Sequence, residues 1–118
     1  MSTYDFALPF PLTVNACYRS VHGRSILSKK ARNYRKEVRE KMIELGLDNL
    51  MIEKRVAVRL ELFPSTKRKF DIDNYCKSLF DALTHCRFWC DDHQIDVMLV
   101  IKRRKIIGGL AKIRVLTH

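Results

Sequence analysis

Thr3 to Leu8 alternates between apolar and polar positions, with Tyr4, Phe6 and Leu8 on one side, and predicts a strand ended by Pro9 and Pro11. Residues 12–27 follow no period. They predict an irregular connection carrying Asn15, Tyr18, Arg19, His22 and Arg24, and a connection that long in a compact domain is often functional. Ser28 is a candidate N-cap and Gly46 a candidate stop for a long helix. Between them Ala31, Tyr34, Val38, Met42 and Leu45 recur at helical spacing, which predicts one buried face. Residues 54–63 alternate again, with Val56, Val58, Leu60 and Leu62 opposite Arg55, Arg59 and Glu61, as in a half-exposed strand broken by Pro64-Ser65-Thr66. A second helix is expected from about Asp73 to His85, with Cys76, Leu79, Phe80 and Leu83 as its apolar stripe. After a short connection around Phe88 and Trp89, Ile95, Val97, Leu99 and Ile101 alternate as another strand. Gly108-Gly109 marks a turn, and Leu110 to Leu116 returns as a last strand, expected to form an antiparallel hairpin with its predecessor. The sum is an α+β chain, one small domain over residues 1–118, with a mixed sheet of about four strands and two main helices.

Composition changes this picture mainly through charge. The 118 residues suffice for one core without disulfides or a structural metal. Twenty-three Lys and Arg against thirteen Asp and Glu leave a net charge of +10, with a sequence pI near 9.8. Such an excess points to a polyanionic partner, most often nucleic acid, with a merely basic protein as the plainer reading. No apolar run reaches the ~18 residues of a membrane span. Met1 to Asp5 carries no basic segment of a secretory signal, so Cys17, Cys76, Cys86 and Cys90 are expected as reduced thiols in a cytoplasmic protein. Lys29, Lys30, Arg32, Arg35, Lys36, Arg39 and Lys41 crowd the first helix. They read equally as a solvated face with a Glu37–Lys41 pair or as a DNA contact.

The segment Lys67-Arg68-Lys69-Phe70-Asp71-Ile72-Asp73-Asn74-Tyr75-Cys76-Lys77 carries the candidate chemistry. Carboxylates beside a basic loop oppose phosphate binding unless a divalent cation bridges the two. Asp71 and Asp73, two apart, project to one side of an extended backbone. If the helix starts at Asp73, then Asp73, Lys77 and Asp81 share a stripe, and Lys77 reaches toward the carboxylate pair. Asp91-Asp92 is the further source of acid, provided that residues 86–92 fold back, with Phe88 and Trp89 as the anchors of that return. Oxygen-only ligation favours Mg²⁺ or Mn²⁺ over zinc. The plainer alternative makes Asp71 or Asp73 a helix cap and Asp91-Asp92 the start of a turn. Cys86, Cys90, His93 and His85 form a rival zinc set, though their spacing fits no common finger. The chain has no nucleophile elbow, P-loop or dinucleotide-binding glycine pattern, so no nucleotide cofactor is expected.

These residues resemble the RusA family of Holliday junction resolvases. The resemblance runs through Lys67-Arg68-Lys69, Asp71-Ile72-Asp73-Asn74, Lys77, Phe80-Asp81-Ala82-Leu83 and Phe88-Trp89-Cys90-Asp91-Asp92. Toward the N-terminus it includes Leu8-Pro9-Phe10-Pro11, Asn15, Tyr18-Arg19, Gly23-Arg24, Ser28 and Tyr34. Phe70 stands where the family has a basic residue, and Pro11-Leu12-Thr13 replaces its Pro-Pro-Ser. The resemblance implies a RusA-like fold and a homodimeric, Mg²⁺-dependent endodeoxyribonuclease, with Mn²⁺ as a substitute. Its partner would be four-way branched DNA, nicked symmetrically in two strands during DNA recombination and repair in a bacterial or phage-infected cell, without a membrane. It implies that Asp71, Asp73 and Asp92 are catalytic metal ligands and that Lys77 is needed for catalysis. Lys67, Arg68 and Lys69 are expected to bind DNA through its phosphates, and Asn15, Tyr18, Arg19 and Arg24 are assigned to the same interface. The competing readings are a non-catalytic DNA-binding protein, a nuclease for flaps, forks or branched RNA, and an RNA-binding module. The last lacks a stacking-aromatic signature.

Overall fold

The computed structural model describes residues 1–118. In chain order its elements are β1 (Thr3–Leu8), α1 (Val14–Cys17), β2 (Tyr18–Val21), β3 (Arg24–Leu27), α2 (Lys29–Leu45), β4 (Val56–Phe63), α3 (Cys76–His85), β5 (Ile95–Lys102) and β6 (Leu110–Thr117). Two 3-10 turns, Ile72–Asn74 and Asp92–Gln94, precede α3 and β5. The main sheet has the order β1-β6-β4-β5, with β2 and β3 as a separate pair. The α+β composition and the four-strand mixed sheet are as the patterning predicts.

Alternation decides which face of the sheet is dry. Val56, Val58, Leu60 and Leu62 of β4 are buried, together with Phe6, Leu8, Ala111, Ile113 and Val115. They meet Tyr34, Val38 and Met42 of α2 and Leu79, Phe80 and Leu83 of α3 in a cluster of 20 buried residues. The opposite face carries ion pairs in place of a second layer. Arg59 pairs with Glu61 at 3.1 Å, Arg103 with Glu61 at 3.3 Å, and Arg114 with Asp5 at 2.8 Å.

Helix α2 begins where its cap was expected, with the Ser28 hydroxyl accepting from the Ala31 N–H at 3.1 Å. Gly46 ends it at φ 72°, a left-handed conformation that a side chain would strain. Two expectations fail on this helix. Leu45 is exposed, because the last turn runs past the edge of the core. Lys41 pairs with Glu44 at 3.8 Å, and no Glu37–Lys41 pair forms.

Residues 12–27 are ordered structure, contrary to the irregular connection expected. Thr13 caps α1, its hydroxyl accepting from the Ala16 N–H at 3.2 Å. β2 and β3 then form a hairpin around His22 and Gly23, both at positive φ. That two-residue turn matches the strand twist, and His-Gly is its faint sequence signal. The segment is stitched to the helices by polar bonds. The Ser28 hydroxyl donates to the Ala16 carbonyl at 2.6 Å, and the Ser78 hydroxyl donates to the Leu12 carbonyl at 2.7 Å. The Tyr34 hydroxyl donates to the Pro9 carbonyl at 2.8 Å.

The largest departure concerns β5 and β6, which form no hairpin. β4 lies between them, parallel to β5 and antiparallel to β6. A parallel pair needs a crossover, and α3 supplies it, because its apolar stripe must cover the sheet between the two strands. The faces of β5 are also reversed from expectation. Met98 and Val100 lie opposite the buried Val58 and Leu60, whereas Val97 and Leu99 lie beside Ala57 and Arg59 on the outer face.

The crossover closes through residues 86–92. Phe88 and Trp89 are completely buried there. Trp89 donates its indole N–H to the Thr84 hydroxyl at 2.8 Å, and its backbone bridges to Ile52. Phe88 meets Tyr4 and Phe6 edge-on, with ring centroids 5.5 and 5.3 Å away. Trp89→Ala would leave a cavity at the centre of this packing and is expected to cost ~3–5 kcal/mol, read as a lower midpoint in urea unfolding.

Candidate active site

The acid-bearing segment is held from both sides by aromatic rings. Phe70 precedes Asp71, Tyr75 follows Asp73, and both meet Phe10. The three centroid separations are 6.1 Å for Phe10–Phe70, 5.1 Å for Phe10–Tyr75 and 5.3 Å for Phe70–Tyr75. The Lys102 ammonium sits 4.7 Å from the centre of the Phe70 ring, which ties this segment to the end of β5. Phe70, a departure from the family pattern at the sequence level, thus anchors the loop by packing.

Between the rings the backbone is not the extended pair expected. Asp71 is extended, but Ile72–Asn74 form a 3-10 turn, and α3 starts only at Cys76. Asp73 is therefore off the helical stripe of Lys77 and Asp81. The Asp71 carboxylate makes no capping bond, and neither it nor the Asp73 carboxylate forms an ion pair. Asp73 is still electrically close to the helix. Burial, and secondarily its charge, raise the Cys76 thiol above its ordinary pKa.

Lys77 does not reach toward Asp71 and Asp73, as its spacing suggested. Its ammonium donates to Asp81 at 2.9 Å and to Asp92 at 3.2 Å. Bonds to Asp81 first and Asp92 second raise its pKa, so it stays charged. Lys77, Asp92, Phe80, Ile95, Asp96 and Met98 line an open cleft of about 380 Å³ beside β5. The fold-back of residues 86–92 thus delivers Asp92 to the start of α3.

The two neighbouring aspartates divide in role. Asp91 is structural. Its carboxylate accepts from the His93 N–H at 3.3 Å, and its own N–H donates to the Gln94 side-chain oxygen at 2.8 Å, a reciprocal capping box. Its pKa is lowered, first by a bond with the Asp92 carboxyl and then by the His93 N–H. Gln94, which sequence reasoning passed over, is buried. Its amide donates to the carbonyls of Ile52 and Lys54 at 2.7 and 2.9 Å. The spacing Asp91-x-x-Gln94 was the available signal.

The basic residues lie on exposed backbone. Lys67, Arg68 and Lys69 form a loop with none of them in an ion pair. Arg68 and Lys69 line an open groove with Lys30, Thr13, Ser65 and Thr66. Asn15 is exposed on α1, and Arg19 and Arg24 are exposed on the hairpin. Tyr18, at the hairpin base, shares a small crevice with Asp81 and Ser78. His85 is held below its ordinary pKa by burial and then by Arg35 and Arg39 of α2.

No three carboxylate, imidazole or thiol groups stand close enough to form a metal-ligand set, and this holds for Asp71, Asp73 and Asp92 as it does for Cys86, Cys90, His85 and His93. Cys86 is buried, while Cys90 is exposed. Asp71, Asp73 and Asp92 are chemically suited to a hard divalent cation, being oxygen donors of which two have no ion-pair partner in the chain. They do not form a closed cage. No helix is long and apolar enough to cross a membrane.

The family model described as endodeoxyribonuclease RusA matches residues 9–116. The chain is 33% identical over 115 residues to the crossover junction endodeoxyribonuclease of Enterobacteria phage HK97, covering 98% of this chain and 95% of that one. It is 35% identical over 109 residues to the protein of the same description from Escherichia coli K12, covering 92% and 90%. The protein so described from Enterobacteria phage 82 matches at the same identity and coverage.

Gln94→Leu would leave the Lys54 carbonyl unpaired, the Ile52 carbonyl with only the Cys90 N–H, and the Asp91 N–H without its side-chain acceptor. It is expected to cost ~1–3 kcal/mol in chemical unfolding and to speed amide exchange at Asp91 and His93, measured by NMR.

Proposed function

Since the chain belongs to the RusA family, we propose that it is an endodeoxyribonuclease that resolves four-way DNA junctions by paired, symmetric nicks. It acts as a homodimer with Mg²⁺, for which Mn²⁺ can substitute, in recombination and repair in the cytoplasm of a bacterial or phage-infected cell. The observation that carries this reading is the pair Asp71 and Asp73, without capping bonds or ion pairs in a molecule of net charge +10. Carboxylates left so beside a basic loop oppose DNA binding unless a cation joins them. The non-catalytic alternative needs these acids as caps, and only Asp91 caps.

Asp71, Asp73 and Asp92 are the residues that would hold the cation. When bound, it would withdraw charge from the scissile phosphate and favour attack by water. Lys77, already protonated between Asp81 and Asp92, supplies positive charge toward the phosphate or the leaving oxygen. Lys67, Arg68 and Lys69 fix the backbone through phosphate contacts that carry no sequence information. Lys30 extends that basic surface across the groove. Asn15, Tyr18, Arg19 and Arg24 contribute the second exposed set. A two-fold dimer matches the near two-fold symmetry of an open junction, one site for each of two opposed strands.

Asp73→Asn is expected to abolish nicking of a synthetic mobile junction in Mg²⁺ while binding in a gel-shift assay is retained or tightened. Cleavage at the normal rate would refute the assignment. Replacing Lys67, Arg68 and Lys69 together with Ala is expected to weaken binding to all junction sequences. It should also flatten the log–log salt dependence by up to ~0.9 per lost phosphate contact, and an unchanged slope would place the DNA elsewhere.

A further inference from the structure

Helix α2 carries its charges against its own stability. Lys29, Lys30 and Arg32 occupy the first turn, which holds no acid, and Glu44 sits in the last turn, which holds no base. The helix dipole favours the reverse at both ends. Lys29 and Arg32, Arg32 and Lys36, Lys36 and Arg39, and Arg35 and Arg39 are like-charge neighbours along the helix and repel one another. None of these five residues forms an ion pair, and the one ion pair of α2 joins Lys41 to Glu44 at 3.8 Å. Lys29, Arg32, Lys36 and Arg39 are exposed. Folding gains nothing from such an arrangement, whereas a polyanion laid on it relieves the repulsion.

The signs are also sorted by side. Lys29, Arg32, Lys36 and Arg39 fall on one flank of the helix, and Glu37, Glu40 and Glu44 on the other. The surroundings agree. Arg35, at the inner margin of the basic flank, shares a crevice with Tyr18, Ser78 and Asp81. After burial, Arg35 and Arg39 hold His85 of α3 below its ordinary pKa. Glu37, Glu40 and Glu44 instead line an open groove with Gly108 and Gly109. Asp81 lines the crevice beside Arg35 and binds Lys77 at 2.9 Å, so the basic flank adjoins the side of α3 on which Lys77 and Asp92 lie. At the other end the Arg32 guanidinium donates to the Leu27 carbonyl at 2.7 Å, where β3 meets the helix. The flank thus continues onto the hairpin that carries Arg19 and Arg24. From Lys29 to Arg39 it rises ~15 Å. One strand of B-form DNA places a phosphate every ~3.4 Å of axis, so the flank matches roughly four phosphates.

We infer that this flank of α2 is a second DNA surface, on which a duplex arm of a branched substrate lies after leaving the Lys77–Asp92 cleft. Lys29, Arg32, Lys36 and Arg39 contact its phosphates and read no bases. The inference rests on the junction-nicking reading above and adds to it a surface away from the acids, which orients an arm relative to the cut.

The test separates contact from mere charge. Junction binding is followed by gel shift without divalent cation over a range of salt, for the unmodified chain and for the combined variant Lys29→Ala, Arg32→Ala, Lys36→Ala, Arg39→Ala. Alanine favours the helix, and circular dichroism checks that it persists. The variant is expected to bind about tenfold or more weakly at low salt and to lose up to ~3.6 from the log–log salt slope, at ~0.9 per phosphate contact. Independently, Lys36→Cys or Arg39→Cys carries an azidophenacyl photoprobe in a Cys90→Ser background, where Cys17, Cys76 and Cys86 are buried. The probe is expected to cross-link to one arm about five base pairs or more from the branch point, half a turn of duplex. An unchanged slope, or cross-links that are absent or confined to the branch point, would overturn the inference. If the unmodified chain still nicks junctions in Mg²⁺, that failure is of the α2 surface alone. A chain that shows the expected slope loss and cross-links but nicks no junction would overturn the functional reading and leave the α2 surface standing.

Discussion

The burial of Phe88 and Trp89 is the constraint on which the arrangement depends. A helix of ten residues carries the chain ~15 Å from its start, so the acids that follow α3 would ordinarily lie far from those that precede it. The buried rings turn the chain back under β1 and against Ile52. The Asp91–Gln94 capping box then fixes the exit into β5. Only through that return does Asp92 come within reach of Lys77. The same return forces β5 to run parallel to β4, so fold topology and candidate site share one cause.

Electrostatics divides the molecule in a way the net charge hides. On the outer face of the sheet each acid is paired, Glu61 with both Arg59 and Arg103 and Asp5 with Arg114, although bases outnumber acids there. Glu61 is held below its ordinary pKa, first by its bond to Arg103, and Asp5 is matched by Arg114. On the other side of the molecule pairing is incomplete, with Asp71 and Asp73 lacking ion-pair partners and the Lys67–Lys69 loop exposed and unpaired. Unpaired charges of both signs in adjacent segments have little value for stability, because exposed pairs contribute only ~0–1 kcal/mol even when made. Their juxtaposition is better explained by what they bind.

Much of this was legible in the sequence. The alternation of β1, β4 and β6, the Ser28 cap, the Gly46 stop and the stripe of α3 emerge because each is a local pattern with a local cause. The site residues were named from spacing and resemblance, and the structure places Asp92 at Lys77 through the predicted fold-back. What was illegible depends on partners distant in sequence. The hairpin of β5 with β6 was expected because Gly108-Gly109 permits a turn, but nothing local reveals that β4 intervenes. The faces of β5 were misjudged because its apolar run fills both parities. The direction of Lys77 followed from an assumed helix start at Asp73, three residues too early. Gln94 was missed because a buried polar side chain looks like a surface one until its acceptors are known.

The ring contacts around the acidic turn have one more implication. Phe10, Phe70 and Tyr75 hold it by dispersion and quadrupole attraction, whose minima are broad compared with those of hydrogen bonds. Such a bearing resists departure of the segment as a whole yet tolerates small slides and tilts at low energetic cost. Asp71 and Asp73 therefore sit on a compliant mount, anchored at the flanks and able to adjust their oxygens to an arriving charge. Asp91, locked by its capping box, has no comparable latitude.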